Sequence, residues 1–147
     1  MDKKVLLVDD DDNMRVAMQT TIERMGISVT TAENGKEGLD YALKENFDLI
    51  ISDMRMPIMD GETFFSMLRS SGINTKVCFV TAYGTVDSAV RLIKDGAFDY
   101  ILKPFAPEVI EELVRRVFYL SETSQSIDEK KTIFRSPYMS QVFNIAK

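Results

Sequence analysis

Apolar residues gather in five short runs along the 147-residue chain: KVLLV at 4–8, ISVTT at 27–31, DLIIS at 48–52, KVCFV at 76–80 and FDYIL at 98–102. Several are nearly unbroken hydrophobes, the pattern of parallel strands covered on both faces. Between the runs the apolar period lengthens to that of a helix. Over 13–25, Met14, Ala17, Met18, Ile22 and Met25 share one face, and Gly26 stops the stretch. Asn34 opens the second helix, with Glu37 three residues on in a capping-box arrangement. Asp60 is placed to cap the third, which carries Phe64, Phe65, Met67 and Leu68 and ends at Ser70-Ser71-Gly72. The fourth covers 85–95, with Gly96 after it. Pro107 suits the first position of the fifth, followed by Glu108, Glu111 and Glu112 near its positive end.

Five strands alternating with five helices predict an α/β fold: an open five-stranded parallel sheet, doubly wound, with right-handed crossovers. Ligands in such sheets bind beyond the carboxyl ends of the strands, at the switch point of the winding. Those ends read Val8-Asp9-Asp10, Ser52-Asp53, Val80-Thr81-Ala82 and Leu102-Lys103-Pro104. Three carboxylates, a hydroxyl and an ammonium thus converge on one edge of the sheet.

Composition narrows what that edge can do. The chain has no histidine, which removes Ser-His-Asp and Cys-His catalysis and imidazole-based zinc sites. One cysteine, Cys78, lies inside an apolar run, so no disulfide framework exists and a reducing, cytoplasmic setting is expected. A net charge of −5 argues against this segment gripping a nucleic-acid backbone, which needs clustered Lys and Arg. No run approaches the roughly 20 apolar residues of a membrane span, so no membrane contact is expected.

Clustered carboxylates repel unless a cation or proton neutralises them. With oxygen ligands alone, Mg²⁺ (or Mn²⁺) is the natural occupant, completing its shell with water and a phosphate oxygen. A carboxylate beside it can attack an activated phosphoryl group and form an acyl phosphate. Lys103 can meet one equatorial oxygen of that group and Thr81 another. An EF-hand begun at Asp9 fails, because its sixth and twelfth positions are Met14 and Thr20. The dinucleotide-binding glycine pattern and the P-loop are both absent. Aspartates 9–12 could by themselves simply decorate a strand-to-helix turn; Asp53, Thr81 and Lys103 at the other strand ends make a shared pocket the better reading.

The segments LLVDDD, DLIISDMRMPIMDG, VTAYG and GAFDYILKPF resemble, in order and spacing, the receiver domain of two-component response regulators over residues 3–120. The resemblance implies a flavodoxin-like receiver fold and makes Asp53 the phosphoacceptor. It implies Asp10 as direct Mg²⁺ ligand, Asp9 as a neighbouring acid acting partly through water, and Arg55 as a ligand through its backbone carbonyl. By the same analogy Thr81 is the switch hydroxyl, Lys103 the pocket lysine, and Tyr100 an aromatic that turns inward when the hydroxyl moves. The Lys103-Pro104 peptide is expected cis. In the MPIMDG segment, Pro57 stiffens the loop and Asp60-Gly61 turns it into the next helix. Asp11 and Asp12 then belong to the helix start, where either can cap.

The fifth helix points past the domain. Ile110, Leu113, Val117, Leu120, Ser124 and Ile127 fall at alternating spacings of three and four, a heptad seam whose first part packs on the sheet. Residues 121–132 read as a helical or disordered linker. Residues 133–147, with Ser136 as N-cap and Pro137 after it, resemble the start of an AAA+ ATPase domain of NtrC-class, sigma-N-dependent activators. The TAYGTVDSAV and GAFDYILKPF segments lean the same way. The implied function is a phosphorylation switch of a transcriptional activator, fed by a sensor histidine kinase. A homodimer through the helix-four, strand-five and helix-five face and the linker is expected, with DNA binding left to a further domain. Beyond its own phosphorylation and slow autodephosphorylation, no enzyme activity is expected. Two rivals are a stand-alone module docking another protein and a Mg²⁺-dependent aspartyl phosphatase; the latter usually has an acid two residues past its nucleophile, where Arg55 stands.

Overall fold

The computed structural model describes residues 3–82 and 86–120. The linker at 121–132 and the ATPase-like stretch at 133–147 lie outside the described residues, as do Leu120's side chain and the lower half of the heptad seam. Among the described residues five strands and five helices alternate: β1 (Lys4–Val8), α1 (Asp12–Glu23), β2 (Ser28–Ala32), α2 (Gly35–Lys44), β3 (Leu49–Asp53), α3 (Gly61–Ser70), β4 (Lys76–Thr81), α4 (Val86–Lys94), β5 (Asp99–Leu102) and α5 (Pro107–Arg115). All pairings are parallel, in the order β2-β1-β3-β4-β5. Because the winding reverses beside β1, the carboxyl ends of β1 and β3 open a crevice between them.

The three central strands are buried along nearly their whole length, as their unbroken apolar runs require. Leu6, Val8, Ile50, Phe79 and Tyr100 pack on one side with Phe64, Phe65 and Leu68 of α3 and Leu92 of α4. Val5, Leu7, Ile51, Cys78 and Ile101 pack on the other with Met18 and Ile22 of α1 and Ile110, Leu113 and Val114 of α5. Most methionines fill gaps at the edges of these layers, whereas Met67 faces solvent.

Helix starts obey the expected chemistry, with two refinements. Asp11, not Asp12, caps α1 and accepts from the Met14 amide; Asp60 caps α3 at the Thr63 amide. Asn34 caps α2 by accepting from the Glu37 amide, but the Glu37 carboxylate reaches back to the Glu33 amide, one residue before the cap. Pro107 occupies the first turn of α5, whose cap residue Ala106 offers no side-chain acceptor.

The fifth helix departs from a plain continuation. After Arg115 it widens into a π turn, Arg116–Leu120. There Val117 and Phe118, adjacent in sequence, are both buried, and Arg116 turns inward with them. Ile110, Leu113 and Val117 of the heptad seam lie in the core of the domain, so those three positions are spoken for by the sheet.

Candidate phosphoacceptor and metal site

The crevice collects the strand-end residues. Asp9 follows β1 and is wholly buried, Asp10 beside it is exposed, and Asp53 ends β3 almost fully covered. One carboxylate oxygen from each lies within 4.8 Å of the others. Thr81, closing β4, is buried at 1% exposure. Lys103 reaches in from beyond β5, with its Nζ 3.1 Å from Asp9 Oδ2 and 3.4 Å from Asp53 Oδ2. The Lys103-Pro104 peptide is cis.

The loop between Asp9 and α1 is tied from several directions. The Asp11 amide donates to Asp9 Oδ1 at 2.9 Å. Arg15 donates from Nη1 to the Asp9 carbonyl at 2.7 Å and from Nη2 to Asp12 Oδ1 at 2.5 Å. Of the four neighbouring aspartates, Arg15 offsets the charge of Asp12 directly and the Asp11 amide that of Asp9. The part played by Arg15 was legible in sequence only as an i,i+3 pair with Asp12.

Asp53 accepts the Met54 amide at 2.7 Å. Burial, reinforced by the Asp9 charge, pushes the Asp53 carboxyl up to about 6, and Lys103 and the Met54 amide pull it back only partly. For Lys103, burial opposes the ammonium, yet the attraction of Asp9 and Asp53 outweighs it and the net shift is upward. The pocket therefore holds a surplus of negative charge that one lysine leaves incompletely balanced.

That surplus is the test of a metal. Three carboxylates on a common point, with no imidazole or thiolate, suit a hard divalent cation and disfavour a soft one. The donor set fits Mg²⁺ or Mn²⁺.

Arg55 and Tyr100 belong to the neighbouring space. They line, with Met54, Met56, Asp60, Glu62, Thr81 and Arg91, a cavity of ≈ 430 Å³. Tyr100 is 2% exposed; its ring points inward, its hydroxyl has no hydrogen-bond partner among the described residues, and burial raises its pKa. Arg91 of α4 pairs with Glu62 of α3 at 2.5 Å across this cavity, a contact that nothing in the sequence pattern announces. Within the β3–α3 loop Ile58 adopts φ 70°, rare for a β-branched residue, and is largely exposed. The turn expected around Pro57 and Asp60-Gly61 thus has its strain at Ile58.

Comparison with known proteins gives a consistent picture. Residues 5–115 match the response regulator receiver domain. The chain is similar to the Regulatory protein AtoC of Escherichia coli (strain K12), 35% identical over 124 residues, covering 84% of this chain and 27% of that protein. It is also similar to the Response regulator protein PilR of Pseudomonas aeruginosa, 32% identical over 144 residues, covering 97% of this chain and 32% of PilR. The chain thus spans about a quarter to a third of the length of these curated relatives. Among solved structures, the Francisella response regulator 1452 receiver domain superposes with a TM-score of 0.74 at 35% identity, covering 84% of this chain and all of that one.

Proposed function

The chain belongs to the response regulator receiver domain family, as a signalling switch of the NtrC-class type its motifs resemble, and from that premise we propose Asp53 as its phosphoacceptor. The observation that carries this reading is the environment of Asp53: a covered carboxylate at a strand end, crowded by Asp9 and contacted by Lys103. Receiver domains of this family meet sensor histidine kinases, and such a kinase is the proposed source of the phosphoryl group.

In the proposed reaction an Asp53 oxygen attacks phosphorus, the bond from phosphorus to the donor's nitrogen breaks, and an aspartyl phosphate results. The Lys103 ammonium favours the ionised form of Asp53, against burial and the Asp9 charge, and can follow the charge onto a phosphoryl oxygen. The Thr81 hydroxyl, on the next strand, is the second hydrogen-bond donor to that group. Asp9, Asp10, Asp53 and the Arg55 carbonyl would hold Mg²⁺ or Mn²⁺, which when bound supplies charge neutralisation for the transferring group. Support for Mg²⁺ comes from the three carboxylates; Arg55 enters by family analogy. Autodephosphorylation uses the same positioning: water attacks phosphorus, the bond from phosphorus to the Asp53 oxygen breaks, and inorganic phosphate and the free Asp53 carboxylate result.

Phosphorylation adds charge and acceptor oxygens beside Thr81. Movement of Thr81 would act on the packing of Tyr100; because its ring is already buried in this structure, its proposed part is to be held inward by the phosphorylated state rather than to swing in from solvent. The face made by α4, β5 and α5 is the proposed output and homodimer surface, controlling a downstream ATPase and transcription. This segment itself is not proposed to touch nucleic acid, and a cytoplasmic location is proposed. Among the described residues no helix is long and apolar enough to cross a membrane.

The test is direct. Incubation with acetyl phosphate and Mg²⁺ should give one acid-labile phosphate per chain, absent in Asp53→Asn and absent when the metal is chelated. Incorporation unaffected by Asp53→Asn would assign the phosphate elsewhere and overturn the reading.

A further inference from the structure

Among the described residues β5 is the edge strand of the sheet, paired only with β4, so its outward amides lack a ladder partner there. The Tyr100 amide is satisfied instead by the preceding side chain, donating to Asp99 Oδ1 at 2.7 Å. The other oxygen of that same carboxylate, Oδ2, accepts from Nη2 of Arg116, the first residue of the π turn. Asp99 is wholly buried, and the Arg116 side chain is largely covered, with its guanidinium 5.5 Å from the Phe98 ring centroid. A buried carboxylate is costly unless paired, and a buried ion pair seldom contributes net stability over an apolar pair of similar size. Its placement is therefore informative.

Strand alternation supplies the geometry. Tyr100 projects into the layer shared with α3 and α4, while Ile101 projects into the layer shared with α5. Asp99, next to Tyr100, lies on the α5 side, where its carboxylate meets Arg116. One side chain thus ties the backbone of Tyr100, whose ring is on one face of the sheet, to the π turn on the opposite face, the last of the described segments.

We propose that Asp99 is a positioning residue that couples Tyr100 to Arg116 and so transmits the phosphorylation state to the π turn at Arg116–Leu120. The inference rests on the reading of Tyr100 as the switch. If β5 shifts when Tyr100 repacks, the Asp99 carboxylate must move with the amide it holds. Arg116 either follows or loses a buried partner, and both outcomes act on the π turn, a rare geometry that recurs at functional sites.

The experiment is hydrogen–deuterium exchange of the 147-residue chain, with and without acetyl phosphate and Mg²⁺, read by mass spectrometry over peptides spanning the π turn. In the wild type, phosphorylation should change exchange at 116–120 by about threefold or more. Asp99→Asn keeps an acceptor for the Tyr100 amide but loses the charge that holds Arg116. It should take up phosphate at a rate within about twofold of wild type, since Asp99 lies outside the pocket, and show no such change. Should this variant not fold, Asp99→Leu combined with Arg116→Met removes both charges at once and carries the same test. An unchanged phosphorylation response at 116–120 in either folded variant overturns the coupling, as does a phosphorylated wild type with no response there. A wild type that takes up no phosphate instead overturns the functional reading beneath it.

Discussion

Each aspartate at the head of the crevice has a different physical task. Asp11 caps a helix, Asp12 anchors Arg15, Asp9 is buried beneath Lys103, and Asp10 remains exposed. Asp53 has the most consequential environment, because burial and the Asp9 charge hold its carboxyl near 6 against an ordinary 3.8. The sign of its effect on stability follows. A carboxyl whose pKa is raised in the fold binds its proton more tightly there than in the unfolded chain. Its contribution is favourable at low pH and is lost as pH rises from about 4 through about 6. Above that window the ionised Asp53 costs the metal-free fold, by at most about 3 kcal/mol from the size of the shift. Asp53→Asn should therefore stabilise the metal-free protein at pH 7 by roughly 1–3 kcal/mol and have far less effect at pH 4. Urea unfolding at both pH values with chelator present measures this. Equal effects at the two pH values would deny Asp53 its raised pKa.

At the scale of elements, the strands and caps were written plainly in the sequence, and the loops that shape the site were less so. Unbroken runs such as KVLLV and KVCFV admit few environments besides a sheet covered on both sides, and the strand-end rule then located Asp9, Asp53, Thr81 and Lys103 together. Partners distant in sequence left no local signal. Arg91 with Glu62, and Asp99 with Arg116, become pairs only after the sheet brings their elements together. The acid inside FDYIL was itself a hint, since a buried carboxylate demands a counter-charge, but no spacing rule says where that charge lies. Gly61 is similar: as the first residue of α3 it reads as a turn former, whereas the structure uses it for clearance. A Cβ there would stand 2.4 Å from the Asp53 carbonyl oxygen and 3.0 Å from Met54 Cα. Gly61→Ala gains up to about 1 kcal/mol of helix propensity, which backbone overlap of that size exceeds. The variant should be destabilised by about 1–3 kcal/mol and should bind Mg²⁺ more weakly, because the displaced backbone carries Asp53. Thermal unfolding and Mg²⁺ titration calorimetry report both; a variant as stable and as avid as wild type would mean the loop relaxes freely.

For the whole molecule the sole cysteine offers a gauge of cooperativity. Cys78 sits on β4 between β3 and β5, is fully buried, and packs in the layer with Val5, Ile51 and Ile101. Burial, with the Asp99 charge adding to it, raises its thiol well above the ordinary range, so the folded form presents almost no thiolate. A thiol reagent should modify Cys78 only when the sheet opens, and the layers on both its sides make that opening close to global unfolding. Cation binding at Asp9, Asp10 and Asp53 requires β1 and β3 side by side, an arrangement the unfolded chain lacks. A bound cation should thus suppress opening by mass action: at 100 times its dissociation constant, Mg²⁺ adds about 2.7 kcal/mol to the fold. Where reclosing outpaces modification, labelling of Cys78 should slow by about 100-fold. The control is Asp10→Asn, which removes an exposed carboxylate of the acidic crevice and leaves the core untouched; the Mg²⁺ effect should shrink while metal-free labelling stays nearly constant. If Mg²⁺ left the wild-type labelling rate unchanged, either the acidic crevice binds no cation or Cys78 is reached by a local opening of β4, and Mg²⁺ titration of the folded protein separates the two.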